Sequence, residues 1–433
     1  MWNEVQWIKI PDMELRNKQI LHGDLGGRFA YFRLEQELLT DAHLTVRITA
    51  VSRYRLWVND QAVLSGSCKG DLNRQYYETV SLTPYLHAGK NVFAVQVLYN
   101  DPDIARDQTD ERAAIYGVVG AGNCHALAID GDITDAFGRV IGTISTGKAL
   151  WRVWLDHTFY LKSSEYTVYL GATEESVDAR RSPLEWKRLD FDASSWSLAC
   201  ASGPVMPSAL FQSVGLIPRV HLMPREIPLM EETECAFARV IRRKNDLVLD
   251  AGVEVNGYPR FSFNGNAGTE ITVTYLERFG NGADGARIDD MGGTVEGRAD
   301  HIILNGHLVN YEPFWVRTFR YIVVKSSDGK LPEMPAAQVY RKTGYPLSVE
   351  STVDSSTPWV GQLWGICLRT LQNCMLETYM DCPYYEQLQF IMDTRLQMLF
   401  TYAVSRDVRL AKKALLDFHC GMRPEGLLTG KTP

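Results

Sequence analysis

The chain has 433 residues, 45% hydrophobic and 22% charged, a globular rather than disordered composition with room for two to four domains. Its net charge of -7 argues against a nucleic-acid or anionic-membrane partner, because both demand a basic field; neutral ligands, sugars among them, stay open. No apolar run reaches the ~18 residues that a membrane helix needs. The start, MWNEVQWIKIPDMELRNKQ, has no basic segment leading into an apolar one, so the expected location is cytoplasmic.

Over the first 345 residues the pattern is β-structure with turns. Leu44, Val46 and Ile48 alternate, as do Tyr54, Leu56 and Val58, and a period of two is the strand signature. Asn59-Asp60 then turns the chain toward Ala62, Val63 and Leu64, and the Pro/Gly-punctuated stretch SLTPYLHAGK leads into a strand from Asn91 to Leu98. Many short strands with regular turns predict jelly-roll or sandwich domains. The proline-bearing stretch SGPVMPSALFQSVGLIPRVHLMPREIPLM suits a connection, so we divide the β region into 1–205 and 206–345.

In the second block Phe261-Phe263 and Ile271-Val273-Tyr275 alternate around an Asn-Gly turn. The glycine-rich stretch from Gly280 to Gly297 reads as a long exposed loop, and YEPFWVRTFRYIVV as an aromatic strand pair. Near residue 350 the period changes. Trp359, Leu363, Trp364, Ile366, Cys367, Leu371, Cys374 and Met375 recur at three-to-four spacing, which predicts a helix. Two more helical runs follow, YYEQLQFIMDTRLQMLFTYAVSRD and VRLAKKALLDFHC, so 346–433 is an α-hairpin region. Three helices cannot close a large helical barrel, and this last domain is expected to be incomplete.

Several signals carry no chemistry. The eight cysteines, Cys68, Cys124, Cys200, Cys235, Cys367, Cys374, Cys382 and Cys420, form no CxxC pair and read as reduced core residues. Nine histidines show no HxxxH spacing, and Asp289-Asp290 lacks EF-hand spacing, so neither a metal nor a cofactor is expected. YGVVGAGNCHA is a turn, not a nucleotide loop. Trp57, Trp186, Trp196 and Trp315 have the residue type of a sugar platform, but large aromatics usually bury, and core packing is the expectation.

The informative segment is ETYMDCPYYEQLQFIMDTR. Pro383 suits the first position of a helix, which places Asp381 just before it and Glu386 in its first turn. Asp393 follows two turns later, ~10.5 Å along the axis on the same face. Three carboxylates around one cavity suit glycoside hydrolysis, where one protonates the leaving oxygen and others hold sugar hydroxyls. A helix N-terminus would lower the pKa of Glu386, whereas the charges of Asp381 and Asp393 and the aromatic wall of Tyr384, Tyr385 and Phe390 would raise it. The plainer alternative is that these acids are a cap and a solvated face, with Asp381 an N-cap.

MDCPYYEQLQFIMDTR resembles the signature of the bacterial α-L-rhamnosidases, whose common form runs roughly DCPQRDERLGW-GD; here the middle is the YYEQLQ variant. Further segments are similar in family order. TVRITAVSRYRLWVNDQAVLSG with YLHAGKNVFAVQV looks like the N-terminal jelly roll, and ESVDARRSPLEWKRLDFDASSW like the segment leading out of it. LVLDAGVEVNGYPRF and YEPFWVRTFRYIVV look like the β-sandwich before the barrel, and RPEGLLTGKTP like the loop after its first helices. The resemblance implies jelly-roll and β-sandwich domains followed by the first helices of an incomplete (α/α)6 barrel. It implies an inverting α-L-rhamnosidase acting on terminal rhamnose of glycosides or polysaccharides, with Glu386 as general acid and Asp381 and Asp393 binding substrate. Tyr384 and Arg395 lie beside them as further substrate contacts, although Arg395 can equally serve to neutralise the cluster. The general base is expected on a glutamate beyond Pro433, so little activity is expected of this chain. The rival reading is a non-catalytic carbohydrate-binding fragment; a third is an inactive structural remnant.

Overall fold

The computed structural model describes residues 2–11, 24–39, 42–71, 74–100, 118–119, 126–163, 173–205, 221–280, 291–331, 333–335 and 338–432. Alternation does what the pattern predicts. Val46 and Ile48 of the strand Thr45–Ala50 are buried, as is Leu44 just before it, and Asn59 and Asp60 take positive φ in the two-residue hairpin between Tyr54–Val58 and Gln61–Gly66. A six-stranded sheet runs in the order Cys200–Pro204, Gln6–Lys9, Leu127–Asp130, Thr45–Ala50, Gln75–Ser81 and Leu222–Pro224. It faces a second sheet that contains Asp24–Leu38 and Gly89–Asn100. Ile8, Val46, Ile48 and Leu127 from the first pack with Phe32, Leu34, Phe93 and Val95 from the second, the interleaved core of a sandwich.

The two β blocks are not separate sheets. Arg152–Ser163 pairs with Thr173–Asp178, which pairs in parallel with Arg298–Ile303 of the second block, so one hydrogen-bonded sheet crosses the expected division. One core crosses it too, joining Phe29, Tyr31 and Trp57 to Phe261, Ile271 and Phe319. Trp57, Trp186, Trp196 and Trp315 all lie buried in this core, and Tyr31 stacks on Trp186 at 4.6 Å. Packing accounts for them. The strands Val309–Tyr311 and Arg317–Ser326 do not pair with each other as expected; both pair with the 18-residue strand Asp246–Phe263, which is long enough to serve both. Mutual hydrogen bonds between Gly280 and Thr294 close the base of the glycine-rich stretch, whose residues 281–290 lie outside the described residues together with Asp289, Asp290 and Cys124. The other seven cysteines are free.

Three helices follow: α1 (Pro358–Asn373), α2 (Ile391–Val404) and α3 (Arg409–Cys420). Leu371, Val404, Leu410, Ala411 and Ala414 from these helices bury against Cys68 and Tyr76 of the first β block and against Tyr345 and Leu347. Amide hydrogen bonds fix α1 further, Asn256 Nδ2 donating to the Asn373 carbonyl at 2.7 Å and Asn373 Nδ2 to that of Glu254 at 2.9 Å. Among the described residues no helix is long and apolar enough to cross a membrane.

The second helix corrects the expectation from sequence. It begins at Ile391, with Phe390 at the N-cap position, and not at Pro383. Gln387 stops any earlier helix because its φ of 56° is left-handed. Asp381 therefore caps no helix, and Glu386 and Asp393 are not two turns apart on one.

Candidate active site

Residues 381–388 form a closed loop. The Asp381 amide donates to the Leu388 carbonyl at 2.9 Å, and the Leu388 amide returns a bond to Asp381 Oδ1 at 3.0 Å. Inside it the Gln387 amide donates to the Cys382 carbonyl at 3.2 Å, and the Glu386 amide to Cys382 Sγ at 3.3 Å. A left-handed Gln387 costs conformational energy and needs outside support. Its side chain supplies it, accepting from Trp315 Nε1 at 2.7 Å and donating to the Pro383 carbonyl at 2.7 Å. Tyr384 Oη donates to the Tyr275 carbonyl at 2.7 Å, and the Arg298 guanidinium donates to the Tyr385 carbonyl. The loop is thereby pinned to the β-sandwich along one side. On the other, Gln397 Nε2 of α2 holds the Met380 carbonyl at 2.5 Å.

A groove of about 500 Å³ runs between α1 and α2, and both Asp381 and Asp393 line it with Trp364, Leu396 and Phe400. Asp393 sits exposed in the first turn of α2. Glu386 does not line the groove. It is half-buried on the loop, and its carboxyl is held above the usual range, first by burial, then by the charge of Asp381 and a hydrogen bond with it. Lys431 pulls the other way, and Asp393 adds a smaller upward push. Burial also pushes the neighbouring Cys382 thiol up to about 11, so it is neutral. The arrangement thus sets one carboxyl, raised in pKa by burial and by Asp381, beside two acidic side chains on an open groove, groups able to give a proton and to hydrogen-bond hydroxyls.

Of the five residues picked from sequence, Asp381, Glu386 and Asp393 come together. Tyr384 and Arg395 do not join them. Tyr384 is buried under the Arg298 guanidinium with its hydroxyl bonded to the sandwich, and Arg395 is exposed on α2 without an ion pair to any of the three acids. Sequence reasoning missed Lys431, which reaches the site because the chain returns there. The Ile391 amide donates to the Gly430 carbonyl at 3.0 Å, and the Thr432 amide to that of Gln389 at 3.1 Å. It also missed Gln387, whose role depends on Trp315, 72 positions away.

Residues 348–433 match the bacterial alpha-L-rhamnosidase 6 hairpin glycosidase domain, and residues 241–340 the bacterial alpha-L-rhamnosidase concanavalin-like domain. A search of curated proteins finds no match. Among solved structures the chain is similar to the GH78 family rhamnosidase of Bacillus sp. GL1, with a TM-score of 0.73 at 15% identity over 99% of this chain. It is similar to the rhamnosidase of Dictyoglumus thermophilum (TM-score 0.72, 16% identity, 100% of this chain). The α-L-rhamnosidase of Streptomyces avermitilis, solved with L-rhamnose, gives a TM-score of 0.69 at 19% identity over 94% of this chain. These likenesses speak for the fold, and the chain spans 64%, 46% and 37% of those three chains respectively.

Proposed function

Because this chain belongs to the bacterial α-L-rhamnosidase family, we propose that residues 381–393 are the acid side of a rhamnoside-hydrolysing site. Glu386 protonates the leaving glycosidic oxygen, and Asp381 and Asp393 accept hydrogen bonds from rhamnose hydroxyls in the groove. Tyr384 acts at one remove, as a positioning residue that fastens the loop to Tyr275. Hydrolysis with inversion also needs a carboxylate that activates water on the far face of the sugar. The resemblance puts that base on a later part of the barrel, so residues 1–433 by themselves are expected to turn over an aryl rhamnoside little or not at all.

The observation that carries this reading is the half-buried Glu386 carboxyl beside Asp381, biased toward the form a general acid must start from. Its titration is the test. With side-chain 13C-labelled glutamate, the Glu386 resonance should show a midpoint above the ordinary carboxylate range. Asp381→Asn should lower it by removing the nearby negative charge, and Lys431→Met should raise it. A midpoint that ignores Asp381 would end the assignment of the acid. For the substrate role, Asp393→Asn should weaken L-rhamnose binding about tenfold or more, the loss of a charged hydrogen bond.

A second reading, carbohydrate binding by the β region without chemistry, draws support from a separate cavity of about 410 Å³. It is lined by Trp57, Trp186, Gln96, Asp60 and Arg260. Rhamnose affinity unchanged in Asp393→Asn but lost in Asp60→Ala would favour it.

A further inference from the structure

A glutamine stands where its strand calls for an apolar side chain. Along Gly89–Asn100, Val92, Ala94 and Leu98 share one face and bury in the core that joins the two β blocks. Val95 and Val97 face the other way, into the core of the first sandwich. Gln96 falls on the face of Ala94 and Leu98, paired across to Tyr31 and Arg55 of the flanking strands, and is only 7% exposed. Its side-chain amide makes no hydrogen bond among the described residues, and neither of its polar atoms is sealed off. A buried amide without a partner costs stability, so this one calls for something polar to meet it.

What it meets is the cavity of about 410 Å³, which Tyr31 and Arg55 line with it. The size is ordinary for a small-molecule pocket. Its charged side chains balance, Arg55, Lys187 and Arg260 against Asp60, Glu185 and Glu312, so a neutral occupant fits best. Arg55 and Arg260 both bond Glu312. The side chains of Asp60 and Lys187, by contrast, make neither an ion pair nor a hydrogen bond among the described residues. The aromatic faces are already in use: Lys187 Nζ lies 4.8 Å from the centre of the Trp57 ring, and Trp186 stacks on Tyr31 at 4.6 Å. An occupant must therefore be held by hydrogen bonds. Three uncommitted groups are there to make them, an acceptor, a donor and an amide that does both. We propose that the cavity binds a neutral hexopyranose, its hydroxyls shared among Asp60, Lys187 and Gln96. A sugar as the ligand class rests on the second reading above; beyond it, these three side chains read the hydroxyls, and the cavity works beside the acidic loop, not in its place.

The test is a titration of the full chain with methyl α-D-glucopyranoside, followed by ligand-observed NMR. Cyclohexanol, a six-membered ring bearing one hydroxyl, is the control. The glucoside should saturate with a Kd on the order of millimolar, and cyclohexanol should not. Gln96→Met keeps the length of the side chain and breaks no hydrogen bond in the fold. It should weaken glucoside binding about tenfold while the urea midpoint falls no lower. Lys187→Met should weaken it too, which keeps the test alive if the first variant misfolds. Asp393→Asn, on the groove, should leave the glucoside affinity alone. Equal saturation by cyclohexanol, none by the glucoside at about 100 mM, or wild-type affinity in either methionine variant would overturn the proposal. So would an affinity lost in Asp393→Asn and kept in Gln96→Met, which places the sugar in the groove. Rhamnose binding lost in Asp60→Ala, beside an unchanged glucoside affinity in Gln96→Met, would sink this proposal and leave the second reading standing.

Discussion

The three helices carry two unlike surfaces. Toward the β region, Leu371, Val404, Leu410, Ala411 and Ala414 are buried against Cys68, Tyr76, Tyr345 and Leu347, and the ion pairs around Glu377 and Asp417 brace the same side. Outward, Trp359, Leu363, Ile366, Met392, Leu396 and Phe400 are exposed, the first 60% and the last 55%. Those outward residue types are those of a helix–helix seam and not of a solvated face. Ile366, Leu396 and Phe400 border the same groove as Asp381 and Asp393. Rigidity and access therefore come from opposite sides: the acidic loop is held from the packed side, through the sandwich, while Asp381 of the loop and Asp393 of α2 border the open one.

The greatest loss should come from disturbing the packed side. Glu377 is buried and serves Arg53, Arg225 and the Lys69 amide together. Its carboxyl stays below the usual range because the two arginines outweigh burial, which alone would raise it. Glu377→Gln leaves Arg53 without a carboxylate partner and should cost about 3–5 kcal/mol in urea unfolding, as breaking a buried ion pair does. A loss below about 1 kcal/mol would mean that the bracing is ornamental. Next in size is Tyr384→Phe, which removes one hydrogen bond between the loop and Tyr275 and keeps the ring beneath Arg298. About 0.5–1.5 kcal/mol is expected by the same measurement. Faster amide exchange in residues 381–388 should accompany it, a readout that a loss confined to the sandwich would not give.

The contrast between surfaces also explains what could be read from sequence. Alternating apolar residues located Thr45–Ala50, Tyr54–Val58 and Glu270–Leu276, although Tyr54–Val58 is buried on both faces, and three-to-four spacing located α1 and α3. The same rule overran at α2. Tyr384, Leu388 and Ile391 keep helical spacing, yet residues 381–388 are a loop closed by Asp381 and held by Trp315, and periodicity carries no information about such distant hydrogen bonds. Asp381 and Glu386 still meet, because chain proximity and not the helix brings them together. The loop also settles the contest over the Glu386 pKa. With the helix starting at Ile391, its positive end lies nearer Asp393, and the Asp381 charge stands beside Glu386. Sequence also gave no sign that the Tyr384 hydroxyl donates to the Tyr275 carbonyl, 109 positions away.

The mildest substitutions give the sharpest check on the two surfaces, because almost no change is expected of them. Leu396 and Phe400 are one turn apart on the open side of α2, both exposed, while Thr401 and Val404 of the same helix face inward. Replacing an exposed apolar residue by glutamine forfeits little burial and keeps good helix propensity. Leu396→Gln with Phe400→Gln should therefore change stability by no more than about 0.5 kcal/mol. Val404→Ala on the packed side removes far less apolar surface, yet should cost more than the double change, since it leaves a gap among Leu371, Leu410 and Ala414. If the glutamines proved the costlier pair, the outward face would already be engaged in packing, and the groove holding Asp381 and Asp393 would not be open to a sugar.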